Sequence, residues 1–341
     1  MPADVLGFCG FFPPAGGRAR DAEGTASRVD LNDWTPTRSM DPRPIGIIDS
    51  GVGGLAVARA VIDRVPNESI TYLGDTANAP YGCRPNEEIQ SLALELARKL
   101  TAHDVKMLVV GCNSIEATTA SELTKAAGVP VVGVIEPGVR RALTETRNQR
   151  IGVIGTEATI SSHAHVKLLA RLGHSQPVHG QSCPAFVEFV ERGQTKGRDL
   201  DAITSEYLAP FAAAGVDTVI MGCTHYDFLH HAIQSYLGPA VQLISSADES
   251  AAVVRRRLVR LGLERTESNP PLYEFWCTGD SLRFRRIARR FLALSFSEGP
   301  NPPTASSTHP SSNLKRRPAE PELAFTGVRL HPPLHQQNGH M

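Results

Sequence analysis

The sequence predicts an α/β fold of two pseudosymmetric lobes, each a mostly parallel sheet flanked by helices, with a site between them. Three observations predict it. Short continuous runs of apolar, largely β-branched residues recur through the middle of the chain, as strands buried on both faces require. Helical periods lie between those runs, and that alternation is how doubly wound sheets are built. Finally, two stretches repeat in the same order and at nearly the same offset. Ile45-Gly46-Ile47-Ile48-Asp49-Ser50 is echoed by Ile151-Gly152-Val153-Ile154-Gly155-Thr156, and Val105–Ser114, ending Gly111-Cys112-Asn113-Ser114, by Val216–His225, ending Gly222-Cys223-Thr224-His225.

Taken in order, strands are predicted at Ile45–Ile48, Met107–Val110, Val131–Ile135, Ile151–Ile154, Val219–Met221 and Val241–Ile244. Glu87–Ala102, with Ile89, Leu92, Leu96 and Leu100 on one face, reads as a helix, and Ser246–Leu261 as another. Residues 1–42, rich in Gly, Pro, Arg and Asp, have no apolar period, and residues 295–341 are rich in Pro and Ser. Both read as disordered tails that cannot bury enough apolar surface to offset their ordering entropy.

Thirty-five Lys and Arg balance 35 Asp and Glu, which argues against a chain built to bind nucleic acid. No apolar run approaches the ~20 residues of a membrane-spanning helix, and the N-terminus lacks the basic start of a signal peptide. Membrane partners are therefore not expected. The six cysteines contain no C-x-x-C pair, so neither a disulfide framework nor a metal site is expected. The glycine run Gly51–Gly54 lacks the spacing of a nucleotide-binding loop.

The repeat places a cysteine just past a strand in each half, at the sheet end where open α/β folds bind ligands. A thiol at a helix start is near exposed N–H groups that favour the thiolate, which predicts a lowered pKa for both. Two symmetric thiols facing one cleft suit a reaction with two-fold character: a proton leaves one face of a carbon and another arrives at the opposite face. Redox exchange would lack the usual C-x-x-C pair. A Cys–His nucleophile would use Cys223 and His225 but leave Cys112 unexplained.

These residues resemble the motifs of the glutamate racemase family, within the aspartate/glutamate racemase superfamily. The resemblance runs from Asp49-Ser50-Gly51-Val52-Gly53-Gly54 through Gly74-Asp75-Thr76-Ala77, Pro80-Tyr81-Gly82, Gly111-Cys112-Asn113-Ser114 and Val134–Gly138. It continues through Cys183–Val187, Glu191-Arg192-Gly193, Gly222–Tyr226 and Cys277–Asp280. It implies a cytoplasmic, often dimeric enzyme that makes D-glutamate for peptidoglycan with two cysteines and no cofactor. Lobe one would be 43–137 plus 245–294, and lobe two 138–244. Cys112 and Cys223 would be the acid/base thiols, Cys112 acting on D-glutamate and Cys223 on L-glutamate. Asp49 would assist Cys112, and His225 and Glu191 would assist Cys223. Substrate contacts would fall at Asp49, Ser50, Tyr81, Gly82, Asn113, Ser114, Thr224 and His225, with Thr156 and Thr159 lining the second lobe. Cys83, Cys183 and Cys277 are read as structural, and Cys9 lies in the tail. Two departures from the family stand out: Ser114 replaces the usual Thr, and Asp227 replaces Pro after Tyr226. Racemisation of aspartate or another acidic amino acid is the alternative chemistry. A gyrase-binding inhibitor on the same scaffold, as in some relatives, is the non-enzymatic one.

Overall fold

The computed structural model describes residues 41–292 and, as backbone, the strand 326–330. Its strands form two sheets. The first contains β1 (Ile45–Asp49), β2 (Ile70–Gly74), β3 (Met107–Val110), β4 (Val131–Val132), β9 (Tyr273–Cys277) and β10 (Thr326–Leu330), in the order β10-β9-β2-β1-β3-β4. The second contains β5 (Ile151–Gly155), β6 (His179–Ser182), β7 (Thr218–Gly222) and β8 (Gln242–Ser245), in the order β6-β5-β7-β8. All pairings are parallel except β9 with β10. The order β2-β1-β3-β4 in one sheet matches β6-β5-β7-β8 in the other. The repeated motifs therefore occupy equivalent strands, β1 with β5 and β3 with β7.

Helices join the strands: α1 (Leu55–Arg64), α2 (Asn86–Ala102), α3 (Asn113–Ala126), α4 (Ile135–Glu145), α5 (Glu157–Ser162) and α6 (Ala164–Arg171). The series continues with α7 (Pro184–Glu191), α8 (Arg198–Ala214), α9 (His230–Leu237), α10 (Ser246–Leu261) and α11 (Ser281–Leu292). The predicted helices become α2 and α10. Helix α10 starts where the Ser245 side chain accepts the Asp248 N–H and stops at Gly262, which takes the left-handed conformation.

One predicted strand is corrected. The run Val131–Ile135 is extended only to Val132, and Ile135 already begins α4. The carboxylate of Glu116, on α3, accepts the N–H groups of both Val134 and Ile135 (2.8 Å to the latter), satisfying donors at the new helix start. Side-chain capping from a distant helix overrides the β-propensity of the run.

The tails need two corrections. Asp41, expected in the N-terminal tail, is buried, and its carbonyl accepts from Lys106 Nζ at 2.8 Å. Lys106 is itself buried against Glu68, so it needs that acceptor. Thr326–Leu330, expected in the C-terminal tail, pairs as an antiparallel edge strand with β9. The rest of both tails, Cys9 included, lies outside the described residues.

Each sheet has an apolar cluster of its own on one face, and the two share a third. One apolar cluster runs from Ile45 and Ile47 of β1 through Val139 and Ala142 of α4 and Ala251 and Val254 of α10 to Ile151 and Val153 of β5. The chain leaves the first sheet through α4 and returns through α10. Ser250 Oγ on α10 donates to Gly133 O before α4 (3.2 Å), which ties the two crossings together. Among the described residues no helix is long and apolar enough to cross a membrane.

Candidate active site

The two repeated cysteines sit at matching places. Cys112 follows β3 and is the N-cap of α3; Cys223 follows β7 and is the N-cap of the 3-10 turn Thr224–Leu229. Both are buried. Thr224 Oγ1, next to Cys223, donates to Gly111 O, next to Cys112, at 3.0 Å. That bond joins the C-terminal edges of the two sheets at the thiols. Among the described residues neither helix start has a side-chain cap bond.

The two thiols have opposite electrostatic surroundings. Asp49, the last residue of β1, is buried, and its charge is felt at Cys112. Burial first and Asp49 second push the Cys112 thiol up to about 12, against the Ser50 hydroxyl (3.4 Å) and the Ile115 N–H of the helix start. The predicted lowering is therefore reversed at Cys112, because desolvation exceeds what one helix terminus returns. Asp49 is itself raised by burial, opposed by His225, the amides of the glycine turn and Tyr72.

On the other side, Cys223 Sγ is 3.7 Å from His225 Nδ1, and His225 Nε2–H donates to Glu191 Oε1 at 3.1 Å. Burial acts against the imidazolium, but its hydrogen bonds to Cys223 and Glu191 outweigh that and hold His225 well above its usual range. Glu191, the last residue of α7, is raised by burial, but His225 and Arg283 outweigh this and hold it low. Glycine shapes this corner: a Cβ on Gly53 would lie 2.3 Å from His225 Nδ1, so the turn after Asp49 can carry no side chain there.

The structure gathers the remaining predicted residues about the thiols. Ser114 Oγ, on the first turn of α3, is 2.9 Å from Thr156 Oγ1 and 3.4 Å from Thr159 Oγ1, across the divide between the sheets. Thr156 has a second task, accepting the Thr159 N–H to cap α5. Asn113 is buried with neither amide oxygen nor amide nitrogen hydrogen-bonded. Gly82 reaches the same divide, since a Cβ there would fall 2.5 Å from Thr156 Cβ. Tyr81 is anchored through its side chain. Its hydroxyl donates to Asp75 Oδ2 at 2.5 Å.

Of the remaining cysteines, Cys83 is exposed, while Cys183 and Cys277 are buried. Among the described residues no cluster of His, Cys, Asp and Glu could hold a metal ion. Sequence reasoning missed several supporting residues. Asp75, inside a motif already singled out, also accepts from Asn78 and Thr278. Arg283 lies 3.6 Å from Glu191 and donates to its carbonyl at 3.2 Å. A Gly-Asp-Thr run marks the first; nothing local marks the second, because α11 brings it from the far end of the chain.

Comparison with known proteins agrees with this geometry. Residues 45–254 match the family described as Asp/Glu/Hydantoin racemase. The chain is 47% identical over 253 residues to a glutamate racemase of Corynebacterium diphtheriae, covering 74% of this chain and 95% of the relative. A crystal structure of a glutamate racemase isoform from Bacillus anthracis superposes with a TM-score of 0.71 at 40% identity, covering 74% of this chain and 94% of that one. One from Francisella tularensis, in complex with D-glutamate, gives 0.70 at 33% identity over 74% of this chain and 95% of its own.

Proposed function

The chain belongs to the Asp/Glu/Hydantoin racemase family, and from that we propose that it is a glutamate racemase, inverting L-glutamate to D-glutamate for peptidoglycan without a cofactor. The observation that carries the mechanism is the pair of buried thiols with unlike partners, Asp49 and Ser50 beside Cys112, His225 and Glu191 beside Cys223.

The α-hydrogen of an amino acid is weakly acidic, so the site must stabilise carbanion character while one sulfur is a base and the other an acid. In the L-to-D direction Cys223 takes the α-proton, and the imidazolium of His225, held charged by Glu191, lies 3.7 Å from that sulfur. Cys112, kept protonated by burial and by Asp49, delivers its proton to the opposite face. The bond from carbon to the departing hydrogen breaks as the new one forms, and the two sulfurs have exchanged protonation states. In the reverse direction Cys112 must act as base, and Asp49, with one oxygen free of hydrogen bonds, is the group placed to take its proton. Asn113, Ser50, Ser114, Thr156, Thr159 and the backbone at Tyr81–Gly82 and Thr224 hold the substrate's carboxylates as neutral donors. Desolvated hydroxyls, amides and N–H groups bind an anion without a paired lysine or arginine.

In this reading 43–137 with 245–294, joined by the edge strand Thr326–Leu330, form lobe one and 138–244 lobe two. The same reading includes a homodimer in the cytoplasm. The test is proton exchange. With L-glutamate, Cys112→Ala should abolish racemisation yet still exchange the α-hydrogen with D2O, since Cys223 remains; Cys223→Ala should do the same with D-glutamate. Racemisation surviving either substitution would overturn the two-thiol mechanism.

A further inference from the structure

We infer that Tyr72 is a positioning residue for this reaction: its hydroxyl pins one oxygen of Asp49 and leaves the other for the Cys112 side of the site. The inference rests on the glutamate racemase reading above and deepens it.

Tyr72 is the middle residue of β2 and is fully buried. Its ring lies 5.8 Å from that of Phe275 on β9 and stacks at 6.0 Å on that of Phe284 on α11. Strand and helix together therefore aim the hydroxyl. It lies 2.8 Å from Gly51 O and 3.2 Å from Asp49 Oδ2. The same Oδ2 accepts the Gly51 N–H at 2.8 Å. Asp49 Oδ1, equally buried, has no hydrogen-bond partner among the described residues. The carboxylate is thus asymmetric, with one oxygen held from two sides and one free.

A hydroxyl suits this place because its one proton can turn between two acceptors. While Asp49 is ionised, the tyrosine proton is shared between Gly51 O and Oδ2. When Asp49 takes the Cys112 proton on the free Oδ1, Oδ2 becomes the carbonyl oxygen and still accepts from the Gly51 N–H and the tyrosine hydroxyl. The carboxyl can therefore change charge while both its oxygens stay in place. Burial first, then Asp49, keeps the phenol neutral by raising its own ionisation well above the usual range. The other titratable groups near Asp49 are His225 after β7, Cys112 after β3 and Tyr81 after β2. Among the described residues none of these is hydrogen-bonded to the carboxylate, as Tyr72 is.

The experiment is a double-substitution cycle with Tyr72→Phe and Asp49→Asn. Phenylalanine keeps the ring against Phe275 and Phe284, and the melting temperature of each variant checks the fold. Enantiomers have equal free energy, so kcat/KM must be equal in the two directions for every variant. The readouts are therefore kcat in each direction, exchange of the α-hydrogen of D-glutamate with D2O, and the pH profile of that exchange. Tyr72→Phe should slow the D-glutamate exchange roughly tenfold, as loss of one hydrogen bond to a charged group implies. The limb of the profile set by Asp49 should move to higher pH, because a donor to the carboxylate is gone. In the Asp49→Asn background Tyr72→Phe should add nothing. If Asp49→Asn is slow but Tyr72→Phe keeps the wild-type rate and profile, the inference is overturned while the role of Asp49 stands. An equal loss from Tyr72→Phe in both backgrounds would also overturn it, by assigning the effect to packing. Asp49→Asn at full rate would remove the reading of Asp49 itself, and the inference with it.

Discussion

Asp227 shows how one side chain can set a pH dependence that the motif around it would not suggest. It follows His225 and Tyr226 in the 3-10 turn, and its Oδ2 is buried without a hydrogen-bond partner among the described residues. Burial, with Asp248 adding, pushes its carboxyl up to about 7 against a hydrogen bond from Ser245. In the unfolded chain an aspartate ionises near ~4. Between about pH 4 and 7 the folded protein therefore holds a proton that the unfolded chain has released, and stability falls as pH rises through that window. Asp227→Asn removes this contribution. Urea midpoints of the two proteins should show the variant gaining on the wild type from about pH 4 to about pH 7 and keeping that gain above it. Parallel curves would mean that Asp227 titrates as an ordinary surface carboxylate.

At the scale of elements, the crossing into the second sheet is held by one carboxylate. Glu116 projects from α3, the helix that begins at Cys112, and accepts the N–H groups of Val134 and Ile135 at the start of α4. Burial raises this carboxyl to about 7 despite those two donors, so the cap is held at a desolvation cost. Glu116→Ala leaves both donors unsatisfied and should cost about 1–2 kcal/mol of stability, read as a lower urea midpoint with unchanged slope. Glu116→Gln, which keeps an acceptor oxygen, should recover part of the loss. A fully stable Glu116→Ala protein would show that water replaces the cap without penalty.

For the whole molecule, the open question is what the residues beyond the racemase core contribute. Strand β10 pairs residue by residue with β9, Thr326 against Cys277 through Leu330 against Tyr273. Without it β9 would present an unpaired edge, the kind of surface that templates association between chains. Deleting residues 295–341 should therefore leave racemase activity in place, since residues 45–254 carry the family match. It should also lower the melting temperature and increase concentration-dependent association beyond the full chain's own, measured by light scattering. A truncated protein as stable and as monodisperse as the full chain would deny β10 that role.

The sequence by itself determined six strands, the repetition of four of them and the two thiols at equivalent strand ends, because apolar runs and the Gly-Cys motif are local signals; β2, β6, β9 and β10 went unmarked. It also supplied Asp49, Glu191 and His225, through motifs whose order along the chain matched a family. Tertiary structure decided what lies between distant segments. The Val131–Ile135 run stops short as a strand because Glu116 reaches it from α3. Cys112 is pushed up rather than down, because burial and Asp49 together exceed the pull of a helix start. Tyr81 turns its hydroxyl to Asp75, Tyr72 reaches Asp49, and Arg283 reaches Glu191 from the last described helix. None of these has a sequence signal, because hydrogen bonding and desolvation depend on which groups meet in space, and strand periodicity says only which face a residue occupies.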